Sequence, residues 1–223
     1  MKTIKIFILL LLLSIGGYYT NAQKPYRKPP MRHHKSYKHK PNFQWVQNLP
    51  KQELSQQEKN MLLKMREEEK FAFDIYTYLF QKWEMPIFHH IAKAENRHMK
   101  AIKMLLDKYQ LKDPIQAAGK YSDKKLQQLY DKLTEQGSKS LKDALLVGAT
   151  IEDMDIYDLE NNLKNTDNDD IRIIFTNLKE ASSHHLRAFT RQLLKYYDYQ
   201  YSPQYISQDQ YKKITTKINH CQQ

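Results

Sequence analysis

The feature that most constrains this chain is a set of four long apolar stripes, each interrupted in its middle by polar or ionisable side chains. The first runs Leu62, Met65, Glu69, Ala72, Tyr76, Leu79, and the second Phe88, Ile91, Glu95, His98, Ile102, Leu105. The third is Leu141, Leu145, Gly148, Glu152, Asp155, Leu159, and the fourth Ile171, Ile174, Leu178, Ser182, His185, Phe189. Steps of three and four residues trace one face of an α-helix, so each stripe predicts an amphipathic helix with a core-facing side. No strand pattern of comparable strength, no solenoid repeat and no Gly-rich phosphate loop competes with this reading.

Local signals set the helix ends. Ser55 with Glu58 forms a capping box before the first stripe. Trp83-Glu84-Met85-Pro86 is a short break, and Pro86 suits the first turn of the next helix. So short a connection forces the first two helices antiparallel. After Lys112-Asp113-Pro114 a longer connection holds a small helix near Lys124 to Glu135, closed by Gly137. Ser140 with Asp143 starts the third main helix, with Asp a weaker box partner than Glu. "NTDNDD" turns the chain into the fourth. The prediction is all-α: a four-helix bundle over 53–197 with one long crossover containing a short extra helix, the connectivity of ferritin-like folds.

Charge and composition place the rest. Residues 1–22 combine Lys2 and Lys5, an apolar run from Ile6 to Ile15 and an exit ending in Ala22, which reads as a secretory signal peptide. Export, to the periplasm or outside the cell, is the expected localisation. The formal net charge of +11 falls to +1 from residue 52 onward once Lys2, Lys5 and the eight Lys or Arg between 24 and 51 are removed. The basicity therefore belongs to a leader, 23–52, rich in Pro, Tyr and His and too poor in aliphatics to build a core. It is expected to be a disordered, solvated tether; docking on an anionic envelope surface, or loose metal binding through His33, His34 and His39, is the other reading. Nucleic acid is not an expected partner, because the charge lies outside the fold. The one cysteine, Cys221, offers no intramolecular disulfide, so the fold must stand on packing or on metal. A Tyr-rich tail, 198–223, has no assignable structure; it either packs over the bundle end or covers a homodimer surface.

The interruptions carry the functional reading. A carboxylate buried without a partner is costly, and four helices doing this independently would make a poor core. Residues three apart share a helix face, so Glu95 and His98 can converge on one ion. Antiparallel packing brings the helix middles to one height, where carboxylate and imidazole ligands suit iron or manganese. The competing reading is a polar layer satisfied by its own hydrogen bonds. Glu67 and Glu68 fall off the first stripe and are expected to be solvated. His89 and His90 lie beside the second stripe, and register favours His185 over His184. Tyr76 is expected in the core with its hydroxyl near the site.

"EEKFAFDIY" (68–76), "AENRHMKA" (94–101), "SLKDALLVGATIEDMDIYDLE" (140–160) and "SSHHLRAF" (182–189) resemble the DUF2202 family of ferritin-like proteins, related in pattern to the rubrerythrins. The resemblance covers about residues 53–195. It implies a carboxylate-bridged centre of two divalent metal ions, iron or manganese. By that resemblance the ligands are Glu69, Glu95, His98, Glu152, Asp155 and His185. One position departs from the pattern, since Ser182 stands where a Glu three residues before the last histidine is usual. Asp155 or a water then supplies the missing ligand, or the site holds metal weakly or holds one ion. The function expected from such a centre is an exported redox protein acting on ferrous iron, oxygen or peroxide, as an oxidoreductase of ferroxidase or peroxidase type. With no Cys-x-x-Cys pair, turnover needs an external electron donor. The alternative is a non-catalytic metal-binding or structural bundle associated with the envelope.

Overall fold

The computed structural model describes residues 43–216, so the signal peptide, the leader up to residue 42 and Cys221 lie outside the described residues. Six α-helices follow a short 3-10 helix, Phe43–Asn48: α1 (Gln56–Trp83), α2 (Pro86–Lys108), α3 (Lys124–Gly137), α4 (Leu141–Lys164), α5 (Asp169–Tyr197) and α6 (Gln208–Thr216). The described residues contain no strand, and none of their helices is long and apolar enough to cross a membrane. α1 packs on α2 and α4 on α5, and these hairpins meet through α2–α5 and α1–α4 contacts, so the main helices pack as a bundle.

The ends form as their chemistry dictates. The Glu58 amide donates to Ser55 Oγ (3.2 Å) and the Ser55 amide to Glu58 Oε2 (2.9 Å), a complete capping box. The other Glu58 oxygen accepts from Thr166 Oγ1 (2.6 Å), tying the start of α1 to the α4–α5 turn. Pro86 opens α2, and Ser140 Oγ accepts from the Asp143 amide (3.0 Å). α1 and α5 stop at Glu84 and Asp198, both left-handed, where no glycine announces the stop.

Two segments differ from expectation. Phe43–Asn48, read as leader, is a 3-10 helix whose Val46 is fully buried among Leu62, Ile102 and Leu105. Lys108, in the last turn of α2, holds it by donating to the carbonyls of Val46 (3.2 Å) and Leu49 (2.9 Å) while pairing with buried Asp170 (2.8 Å). Gly137, expected to close the crossover helix from beyond its end, is instead the last residue of α3. A Cβ there would approach Leu79 Cδ2 to 2.7 Å, so close packing on α1 selects the glycine.

Apolar layers lie on either side of the helix middles. One gathers Leu62, Met65, Ile102, Leu105, Leu159, Ile171, Ile174 and Phe175. The other contains Tyr76, whose ring is 5.4 Å from that of Phe189, with Phe88 5.8 Å from Phe189 on its far side. Between them sit the ionisable side chains.

Candidate metal centre

Glu69 comes from α1, Glu95 and His98 from α2, Glu152 and Asp155 from α4, and His185 from α5. Two triads form: Glu69, Glu95 and His98, all buried, and Glu95, Glu152 and His185, buried except for the half-buried His185, the ligand atoms of each lying within 4.8 Å of one another. Glu95 belongs to both. His98 Nδ1 is 2.7 Å from Glu95 Oε2 and 3.2 Å from Glu69 Oε2. His185 Nδ1 is 3.0 Å from the other Glu95 oxygen and 3.4 Å from Glu152 Oε2. The imidazole rings lie nearly parallel, 5.9 Å apart.

His185 Nδ1 makes no hydrogen bond of good geometry despite these approaches, and Glu69 Oε1 and Glu95 Oε1 are likewise buried without a hydrogen-bond partner. Orphaned buried polar atoms are uncommon in a settled core. An octahedral ion with ligands at about 2.1 Å holds adjacent ligand atoms about 3 Å apart, and the inter-residue approaches here run from 2.7 to 3.4 Å. The donor set and spacing fit divalent cations, so these groups could hold metal ions.

Without metal the layer is electrostatically strained. Burial alone would raise the Glu95 carboxyl, but the His98 and His185 charges outweigh it and hold Glu95 well below the usual range. Glu69, Glu152 and Asp155 go the other way, burial holding each carboxyl in its neutral form more than usual. Burial opposes the charged imidazoles, yet Glu95 and Glu69 raise His98, and Glu152 and Glu95 push His185 up to about 10.

Asp155 is set apart from both triads. Its Oδ2 accepts from Ser182 Oγ (2.5 Å), which places the serine beside the acid that could replace its missing carboxylate. Tyr76 is buried as expected, and its hydroxyl donates to Glu152 Oε1 (2.6 Å), orienting that carboxylate toward His185. His185 faces inward and His184 is exposed beside Arg187, as register favours. His90 is exposed and His89 stacks on Phe80.

Residues 58–217 match the family described as "Uncharacterized protein domain (DUF2202)". The chain belongs to the DUF2202 family. The "Uncharacterized protein MJ0754" of Methanocaldococcus jannaschii is 49% identical over 174 residues, 77% of this chain and 94% of that protein. The crystal structure of the hypothetical protein MJ0754 from Methanococcus jannaschii matches with a TM-score of 0.74, covering 75% of this chain and 97% of that chain.

Two residues of this DUF2202 chain escaped the sequence reading. Glu68, expected in solvent, has one oxygen paired with Lys64 (2.7 Å) and the other buried without a partner. Burial, which the Lys64 charge only partly offsets, pushes its carboxyl up to about 8. It lines a pocket with Glu69, Glu152, Asp155 and Asp158, extending the acidic layer outward. The step from Lys64 to Glu68, an ordinary i,i+4 ion pair, carries no sequence sign of burial. Asp153, fully buried beside Glu152, accepts from the Tyr201 hydroxyl (2.9 Å) and from the amides of Gln204 (2.5 Å), Tyr205 (3.2 Å) and Ile206 (2.9 Å). The Tyr-rich segment is thus held along the outer side of α4, and α6 follows against α5.

Proposed function

We propose that this chain is a ferritin-like protein that binds two divalent metal ions across Glu95, with Glu69 and His98 holding one ion and Glu152 and His185 the other. The observation that carries the reading is the sharing of Glu95, whose two oxygens face different imidazoles. Charge balance supports it. Glu69, Glu95, Glu152 and Asp155 bring four negative charges when ionised, which two imidazolium groups cannot match and two divalent ions with neutral imidazoles would. Ser182 adds no charge there, so Asp155 completes the balance from α4.

The oxygen-and-nitrogen donor set, without thiolate, favours iron, with manganese the second fit. Two ferrous ions bound there would supply electrons to oxygen or peroxide, the redox activity we assign to the protein. The chain's own contributions are positional: Tyr76 fixes the Glu152 carboxylate, and Ser182 fixes Asp155. The reductant is external, and the protein acts after export.

The test is elemental analysis of natively purified protein, wild type against Glu95→Ala/His98→Ala, followed by oxygen consumption on adding ferrous iron. About two iron or manganese ions per chain, lost in the variant, with iron-dependent oxygen uptake, is the expected result. Stoichiometric metal with no turnover, and loss of helix on chelation, would leave a structural centre. No stoichiometric metal in wild type would overturn the reading.

A further inference from the structure

A groove of about 600 Å³ runs between α2 and α5 and reaches the buried centre. Its lining includes His98 and His185, the two imidazoles of the proposed metal site. Its walls are mostly apolar, with the small Ala94, Ala101 and Ala181 beside Met104, Leu178 and Phe43, while Gln47 and Asn177 add two neutral amides. Arg97 and Lys100 line it at the surface, both exposed, and no Asp or Glu contributes to it. The positions repeat with helical period, Ala94, Arg97, Ala101 and Met104 on α2 facing Leu178, Ala181 and His185 on α5. The gap is therefore built into both helix faces, and the alanines keep it open where leucines would close it.

Dioxygen and peroxide need no passage of this width, and the volume is that of a small-molecule site, roughly 300–1,000 Å³. The distribution of charge says more. The groove's cations, Arg97 and Lys100, stand at the solvent side, and the rest of its lining is apolar apart from the imidazoles and the neutral amides of Gln47 and Asn177. Arg97 spends one donor on the Lys93 carbonyl (2.9 Å), which leaves the rest of its guanidinium fork for an anion.

We propose that the α2–α5 groove binds an amphipathic monocarboxylate, its charged end at Arg97 and Lys100 and its apolar body along the alanine wall toward His98 and His185. The ligand's inner end meets the metal centre only if the reading under Proposed function holds, whereas the binding itself depends on the groove alone. Entering apolar end first, the ligand keeps its carboxylate at the water boundary and loses no charge hydration that the two cations do not replace.

Equilibrium dialysis of labelled decanoate against the full chain, both metal-loaded and chelator-stripped, tests this. One saturable site per chain is expected in both forms. Arg97→Gln/Lys100→Gln weakens it by about tenfold or more, since charge-assisted hydrogen bonds are lost. Ala101→Trp, shown by circular dichroism to remain helical, abolishes it by filling the groove. Decan-1-ol, with the same chain and no charge, binds at least about tenfold more weakly than decanoate. Absence of saturable uptake in wild type, unchanged affinity in the double variant, or equal binding of the alcohol would each overturn the proposal. Elemental analysis separates the two readings: uptake by a chain that holds no metal supports the groove while the centre fails, and a loaded chain without uptake does the reverse.

Discussion

Gly148 occupies the interior of α4, one turn before Glu152, where a glycine costs a helix about 1 kcal/mol relative to alanine. The reason for the glycine is Phe189. A Cβ built on Gly148 would lie 2.4 Å from Phe189 Cε1, 2.5 Å from Cζ and 2.7 Å from Cδ1. Carbon atoms pack best at about 3.5–4.0 Å, so the ring or the helix would have to move by roughly 1 Å. The ring is fully buried and flanked by Tyr76 and Phe88, which leaves it little room to turn. Overpacking of this kind costs about 1–3 kcal/mol, and three ring atoms in collision place it at the upper end. Subtracting the helix gain of about 1 kcal/mol, Gly148→Ala is expected to destabilise the fold by about 2 kcal/mol. Urea unfolding followed by circular dichroism, with metal removed by chelator so that binding does not add to stability, reads this directly. The companion Phe189→Leu makes room, so the double variant should lose less than the sum of the singles, with a coupling of about 0.5–3 kcal/mol. A Gly148→Ala variant as stable as wild type, or strict additivity with Phe189→Leu, would refute the packing argument.

Metal binding should release protons. The metal-free His185 is raised to about 10 and His98 is raised too, while Glu69 and Asp155 favour their neutral forms. Ligation requires neutral imidazoles and ionised carboxylates, so at pH 7 binding expels more than one proton per chain and tightens as pH rises toward 10. Calorimetry in buffers of different ionisation enthalpy measures this, and proton-neutral binding at pH 7 would contradict it. The sign for the metal-free fold is opposite: the raised His185 stabilises it fully below its ordinary value near 6.5, and that contribution is lost as pH climbs through about 10. Tyr76→Phe should weaken metal about 10–100-fold in chelator competition by freeing the Glu152 carboxylate; unchanged affinity would reduce Tyr76 to core packing. Asp153→Asn removes the charge that gathers residues 201–206, at about 1.5–3 kcal/mol for a charged hydrogen bond. Limited proteolysis should then cut that segment first, and an unchanged cleavage pattern would count against the carboxylate as its anchor.

The helices and their inward faces were legible because both are local properties. A period of three and four residues fixes which side chains share a face before any partner is known, which is why Glu69, Glu95, His98, Glu152 and His185 could be named from spacing. Ser55, Pro86 and Ser140 were legible for the same reason: each serine accepts from an amide three residues on, and the fixed φ and missing N–H of proline suit a first helical turn. Tertiary structure decided what depends on distance. Asp155 and Ser182 pair across 27 residues, which spacing within one helix cannot reveal. Glu68 lies at the edge of a stripe, and an apolar face at least about 100° wide leaves such positions undetermined until α4 packs beside them. Asp153 is sequence neighbour to Glu152 yet turns outward to backbone amides some fifty residues on, whose position only the folded tail provides. Val46 and Lys108 likewise find each other only through a core assembled from α1, α2 and α5. Periodicity determined the faces of the four main helices, and packing decided which groups on those faces meet, because a helix specifies its own sides and not what stands opposite them.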